Sequence, residues 1–157
     1  MFKRTWCKLN YVCNCLLNEI IWKTVYKKIF YKKLQSKFKA FNYKLLFKAI
    51  SVKEKFYRST HCSLCCRQIQ DIYDHLYFNC PKLLIYGETM LEENTCKRLN
   101  KDNFLFFVDV NENEIYSFSV LKYEIFNLYM RASNSNVSPN DIIRIFKSFE
   151  RNLRHIF

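Results

Sequence analysis

The sequence predicts a mainly α-helical domain with a small knuckle-like loop, built from cysteines and a histidine, set into it. Three features point there. Apolar side chains recur every third or fourth residue along several stretches, which is the period of an amphipathic helix. Residues 16–50 contain neither glycine nor proline, so no breaker interrupts that period. Cys62 and Cys65 form one closely spaced pair, His75 and Cys80 form another, and nine residues separate the two.

With 157 residues, 50% of them hydrophobic and 18% aromatic, the chain can bury a core as one domain and is too apolar for general disorder. Its net charge of +12 is unevenly placed. Residues 1–61 carry fifteen basic and two acidic side chains, a surplus of +13; residues 62–101 balance at five and five, and residues 102–157 stand at −1. All of the excess lies upstream of the cysteine loop, which points to a polyanionic partner for the first part of the chain.

Residues 1–15 read as an N-terminal arm, with Cys7, Cys13 and Cys15 as incidental thiols lacking a fourth ligand nearby. Residues 16–59 read as basic amphipathic helices. Leu17, Ile21, Val25 and Ile29 recur every fourth residue, and Phe30, Leu34, Phe38, Phe41 and Leu45 continue on a drifting stripe. One long helix, or two with a joint near Asn42, accounts for the pattern. Ser51 and Glu54 form a capping box that opens a short helix over residues 52–58 and delivers the chain to Cys62.

Residues 60–86 hold the cysteine and histidine motif. Asp74 can open a helical turn carrying His75, Leu76 and Phe78, while Leu64, Leu76, Tyr77 and Phe78 form a small apolar shell around the loop. Pro81, directly after Cys80, suits the first position of another helix. Residues 87–157 read as the helical remainder of the same domain. Residues 82–100 are helix-compatible and broken near Gly87, whereas residues 103–110 fit either a buried strand or a helical turn. Ile115, Phe118, the stem of Lys122, Ile125, Leu128 and Tyr129 mark an amphipathic helix, and residues 132–137 a loop. Ser138, Pro139 and Asp141 then supply an N-cap, a first-turn proline and a first-turn acid for a last helix striped by Ile142, Phe146, Phe149, Leu153 and Ile156.

Three thiols and one imidazole at the spacing Cys-x2-Cys, then His-x4-Cys, are a closed tetrahedral zinc set: Cys62, Cys65, His75 and Cys80. With all four positions filled by protein, such an ion is structural rather than catalytic. Cys66 directly follows Cys65 and competes with it as second ligand, and no glycine is present to take a positive backbone dihedral after the pair. Disulfides are the rival use for eight cysteines, and buried reduced thiols the plainest one. Near the N-terminus, Lys8, Asn10, Asn14, Asn18 and Glu19 interrupt any secretory or membrane-spanning segment. The expectation is an intracellular protein with reduced thiols, which favours metal over disulfide.

The lysines form the second candidate site. Lys23, Lys27, Lys28, Lys32, Lys33, Lys37, Lys39, Lys44 and Lys48 lie mostly off the apolar stripe, interleaved with Tyr26, Tyr31 and Tyr43. Such a face can run along a nucleic-acid backbone, lysines neutralising phosphate and tyrosines stacking on exposed bases. For any one lysine a solvated helix face is the simpler account, and attachment to an anionic membrane surface ranks last.

Part of the chain also resembles something known. Residues 45–58, reading Leu-Leu-Phe-Lys-Ala-Ile-Ser-Val-Lys-Glu-Lys-Phe-Tyr-Arg, precede Cys-Ser-Leu-Cys and then Asp-His-Leu-Tyr-Phe-Asn-Cys-Pro at 74–81. Together they resemble the zinc-binding region that ends the reverse transcriptase polyprotein of retrotransposons lacking long terminal repeats. The block from His75 to Cys80 is the most specific part of the likeness. The family's ligands fall on Cys62, Cys65, His75 and Cys80; Cys66 stands where glycine is common, and Tyr86 near an expected tryptophan. The resemblance implies a nucleic-acid partner, element RNA or target DNA, the rest of a polyprotein as neighbour, and a nuclear or cytoplasmic ribonucleoprotein setting.

The chain lacks the paired aspartates with which a polymerase holds two magnesium ions, and its single glycine leaves no room for a phosphate-cradling loop. The expectation is therefore a non-catalytic, zinc-stabilised nucleic-acid-binding module. The alternative is a helical interaction or scaffold protein with zinc as a staple and no nucleic-acid role.

Overall fold

A computed structural model of the chain describes residues 19–47, 61–69, 72–85, 101–132 and 136–154. Within these the protein is mainly helical, and no strand occurs among the described residues. The helices are α1 (Glu19–Ile29), α2 (Ser36–Leu46), α3 (Lys101–Phe106), α4 (Glu112–Ala132) and α5 (Pro139–Arg154). Between α2 and α3 come the cysteine loop, a helical turn Ile72–Asp74, a π-helical turn His75–Asn79, and a helical segment at 81–85. The arm with Cys7, Cys13 and Cys15, Leu17, the box at Ser51 and Glu54 with its helix, Lys48, Asp71, Tyr86 and Ile156 lie outside the described residues.

Among the described residues the basic stretch forms two helices, and the joint between them is at residues 30–35 rather than near Asn42. The break has a geometric cause. Ile29 and Leu34 are both buried, yet five residues of continuous α-helix would turn them apart by about 140°. Interrupting the helix lets both face the core. The N–H of Phe30 still bonds to the carbonyl of Tyr26 (3.0 Å), that of Tyr31 tightens onto Lys28 (3.2 Å), and that of Leu34 returns to Tyr31 (3.0 Å). Asn42 sits instead in the middle of α2, where its amide donates to the hydroxyl of Ser119 on α4 at 2.8 Å.

Each helix buries the stripe its spacing dictates. Trp22, Val25 and Ile29 on α1, and Phe38, Phe41, Asn42, Leu45 and Leu46 on α2, turn inward. Phe38 and Phe41 meet the ring of Tyr123 edge-on at 5.5 and 5.3 Å, which seats α2 on α4. Trp22 meets Phe106 edge-on at 6.0 Å and seats α1 on α3. Residues 103–110, open between strand and helix by periodicity, are helical through Phe106. They then leave the helix through two left-handed residues, Phe107 (φ 57°) and Asp109 (φ 53°).

A reciprocal cap opens α4. The side-chain oxygen of Asn111 accepts the N–H groups of Asn113 (3.0 Å) and Glu114 (2.9 Å), and the Glu114 carboxylate accepts the N–H of Asn111 (2.9 Å). The start of α5 matches its sequence signal. Ser138 Oγ accepts the N–H of Asp141 (3.3 Å), and the Asp141 carboxylate accepts from the N–H and hydroxyl of Ser138 at 3.1 and 2.9 Å. The helix then folds back along α4 and buries Ile142, Ile145, Phe146 and Phe149, with Phe149 stacked on Phe118 at 5.9 Å. Each such buried side chain contributes about 1.5–3 kcal/mol.

One expected position departs in kind. The sequence reading places only the stem of Lys122 in the core; the structure buries the whole side chain at 0% exposure. Its ammonium group lies 4.0 Å from the ring centre of Phe107 and 5.7 Å from that of Phe104, with no hydrogen-bond partner. Lys122 follows the helical period of Ile115, Phe118 and Ile125, so packing alone carries it inside.

Candidate metal centre

The two ligand pairs come from two local devices. In the first, the chain turns tightly over residues 63–65, and the N–H of Cys66 closes the turn on the carbonyl of Cys62 at 2.8 Å. The N–H of Cys62 bonds to the carbonyl of Arg67 (2.9 Å), and His61 pairs with Gln68 in a single antiparallel bridge. Cys66 takes the left-handed conformation (φ 59°) that a glycine would adopt without cost. That dihedral carries its own side chain outward, so Cys66 is exposed, while Cys65 faces the loop interior.

The second device is the π-helical turn His75–Asn79. Residues five apart on an α-helix diverge by about 140°. Bonding from i to i+5 widens the turn and brings such residues back over one another, so His75 and Cys80 meet on one side. Leu76, inside the turn, is buried. Cys80 then caps the helical segment at 81–85: its carbonyl accepts the N–H groups of Leu83 (3.0 Å) and Leu84 (2.9 Å), with Pro81 at the first helical position.

The four expected ligands Cys62, Cys65, His75 and Cys80 are thereby brought together, one donor atom of each lying within 4.8 Å of every other. Cys65 Sγ is 3.3 Å from His75 Nε2. A tetrahedron with metal–sulfur bonds of about 2.3 Å has sulfur–sulfur edges of about 3.8 Å, so a small inward movement fits the set to an ion. Cys62 and Cys80 are buried in the main core and Cys65 and His75 are half-buried, which makes the cluster part of the packing. Asp71 and the side chain of Asp74, which precede His75 in the motif, lie outside the described residues.

The electrostatics fit a cation. The Cys62 thiol donates to the Cys80 sulfur, and this bond together with burial pushes the Cys62 thiol far above its usual range. The same bond, helped by the N–H groups of Lys82 and Leu83, holds the Cys80 thiol below it. Burial raises Cys65, and burial with the nearby Arg67 charge lowers His75, keeping its imidazole in the neutral, metal-binding form. Three crowded thiols resist becoming thiolates together. A dication at the centre supplies the charge that lets them.

The expected lysine face is only partly exposed. Lys23, Lys27, Lys32, Lys33, Lys37 and Lys44 are exposed, Lys39 is half-buried, and Lys48 lies outside the described residues. Lys28 is different: its ammonium donates to the carbonyl of Phe107 at 2.6 Å and ties α1 to the left-handed exit of α3. The ammonium of Lys37 lies over the rings of Phe38 (4.8 Å) and Tyr123 (5.6 Å). Among the three interleaved tyrosines, Tyr31 donates to the Glu112 carboxylate, Tyr26 packs half-buried against Trp22, and Tyr43 is exposed. Phe30 joins it there. The sequence places Phe30 on the apolar stripe, but the end of α1 leaves it outside the core. No helix among the described residues is long and apolar enough to cross a membrane.

No protein-family model, no curated protein and no solved structure matches the chain.

Proposed function

We propose that the protein is a non-catalytic nucleic-acid-binding module stapled by one structural zinc ion. Zinc is the ion that a three-sulfur, one-nitrogen set of closed tetrahedral form prefers, and when bound it cross-links the 62–65 loop to the π turn without an open position for substrate. Cys62, Cys65, His75 and Cys80 hold it. Their own work is to fix the angle between the lysine-bearing hairpin α1–α2 and the helices that follow.

The observation that carries the nucleic-acid reading is the charge split, +13 upstream of Cys62 and close to zero after it, with six of the lysines exposed on or between α1 and α2. Lysines at this density neutralise phosphates in a salt-sensitive, largely sequence-neutral way. The resemblance of residues 45–81 to the end of a retrotransposon reverse transcriptase supports the same reading. In that setting the module would hold element RNA or target DNA beside a polymerase, in a nuclear or cytoplasmic ribonucleoprotein.

A filter-binding series on single-stranded RNA tests it. The logarithm of affinity should fall with the logarithm of salt by about 0.7 per neutralised phosphate, and binding should weaken when Lys27, Lys32 and Lys33 become Glu. Failure to bind at low salt would leave the scaffold reading, in which the lysines serve solubility alone.

A further inference from the structure

Two aromatic side chains stand out of the lysine face. Phe30, just past the end of α1, is 51% exposed, and Tyr43 on α2 is 42% exposed. Their ring centres are 5.9 Å apart at 51°, and Tyr43 in turn meets the half-buried Phe47 at 4.8 Å and 54°. The three rings make one continuous edge across the α1–α2 hairpin. The hairpin's buried rings have other work: Trp22 engages α3, and Phe38 and Phe41 engage α4.

The hairpin that carries this edge is itself cationic, with Glu112 of α4 reaching it at Tyr31. Helical spacing puts Lys27 one turn before Phe30, Lys39 one turn before Tyr43, and Lys44 one turn before Phe47; Lys27 and Lys44 are exposed. No aspartate or glutamate occurs anywhere between residues 20 and 53. A lysine face that only solvates a helix gains nothing from open aromatic rings. Lysines reach the phosphates of single and double strands alike, but a ring edge can stack only on a base that is not already paired and stacked. Positive charge beside open rings therefore selects single strands.

We propose that Phe30 and Tyr43, backed by Phe47, form a stacking platform for an unpaired base of a single-stranded nucleic acid whose phosphates lie along Lys27 and Lys44. This rests on the nucleic-acid reading above and specifies its ligand. It moves the contact from a generic basic surface to one end of the hairpin.

The test uses the full zinc-loaded chain with a labelled short oligouridylate, a duplex of the same length and anionic phospholipid vesicles, over a range of salt. The doubly substituted Phe30→Ala, Tyr43→Ala protein should bind the single strand about 10- to 100-fold more weakly and the duplex unchanged. Its salt slope on the single strand should match the parent's, whereas Lys27→Ala with Lys44→Ala should lower that slope by about one to two phosphates. Oligouridylate carrying 5-iodouridine should photocrosslink to Phe30 or Tyr43 in the unsubstituted chain, a readout independent of how the variants fold. Equal binding of the single strand by parent and aromatic variant, or crosslinks confined to other regions, would overturn the platform while leaving the nucleic-acid reading in place. Absence of binding to either nucleic acid at low salt would overturn both. So would binding to the vesicles alone, lost in the aromatic variant.

Discussion

The phenol of Tyr77 donates a hydrogen bond to the backbone carbonyl of Lys122 at 3.0 Å, joining the π turn that presents His75 to the middle of α4. The Tyr77 ring also packs on Phe104 at 5.7 Å. Burial pushes the phenol well above its usual range, so it remains a donor across the working pH of the protein. The candidate metal cluster is thus anchored to the helical core by a side chain two residues from His75.

Tyr77→Phe removes that bond and keeps the ring. It should lower stability by about 1 kcal/mol in urea titrations of the metal-loaded protein, since it leaves a carbonyl short of a partner while preserving the packing. An unchanged midpoint would show that the anchor contributes nothing.

Lys122 should be a net liability. Its buried ammonium has two aromatic rings beside it and no hydrogen-bond partner, and burial drives its pKa well below the ordinary lysine value of 10.5. Lys122→Met, of similar length, should stabilise the protein by about 1–3 kcal/mol at neutral pH. The sign with pH follows from the lowered folded value. Between that value and 10.5 the unfolded chain binds the proton and the folded one does not, so the parent gains stability relative to Lys122→Met as pH rises through this window. A gap between the two proteins that stayed constant with pH would contradict the burial of the charge.

Metal release read with a chromogenic chelator should give one zinc per chain. Cys65→Ser and His75→Ala should lose it, whereas Cys66→Ser, at the exposed left-handed position, should keep it. Chelation should also cost folding stability, with a definite pH dependence. Thiols that in the unfolded chain are protonated below about pH 9, and that are thiolate when metal-bound, make the loaded form lose stability as pH falls below that value. Equal zinc in all four proteins would remove the assigned ligand set.

Lysines of the basic stretch should divide by role. Lys28→Met removes the donor to the Phe107 carbonyl and should cost about 1–2 kcal/mol of stability. Lys32→Met, at an exposed position, should leave thermal unfolding within about 0.5 kcal/mol of the parent and weaken only RNA binding. Equal destabilisation by both would mean that the Lys28 contact is not structural.

Local chemistry along the chain was enough for α4 and α5 and for the identity of the cysteine and histidine cluster. The Ser138–Pro139–Asp141 start and the stripe through Ile115, Phe118, Ile125, Leu128 and Tyr129 follow from capping and from a 3.6-residue period, both short-range properties. Cys62, Cys65, His75 and Cys80 were legible because metal geometry restricts ligand spacing. The Asn111 and Glu114 cap was equally open to such a reading, an Asn-x-x-Glu pair just ahead of an apolar period.

Other features depend on what faces what. The break at residues 30–35 exists because Ile29 and Leu34 must both reach the same core, a demand set by α3 and α4 from far along the chain. The π turn brings His75 and Cys80 to one side, and Cys65 rather than Cys66 joins them because a left-handed residue after the pair turns its own side chain away. The burial of Lys122 and the use of Lys28 as a tie were likewise decided by neighbours distant in sequence. Sequence determined which side chains lie on each helix and which atoms can bind a metal. Only the tertiary arrangement decided which charges stay in solvent, because desolvation depends on the surfaces that close over a residue and not on the residue itself.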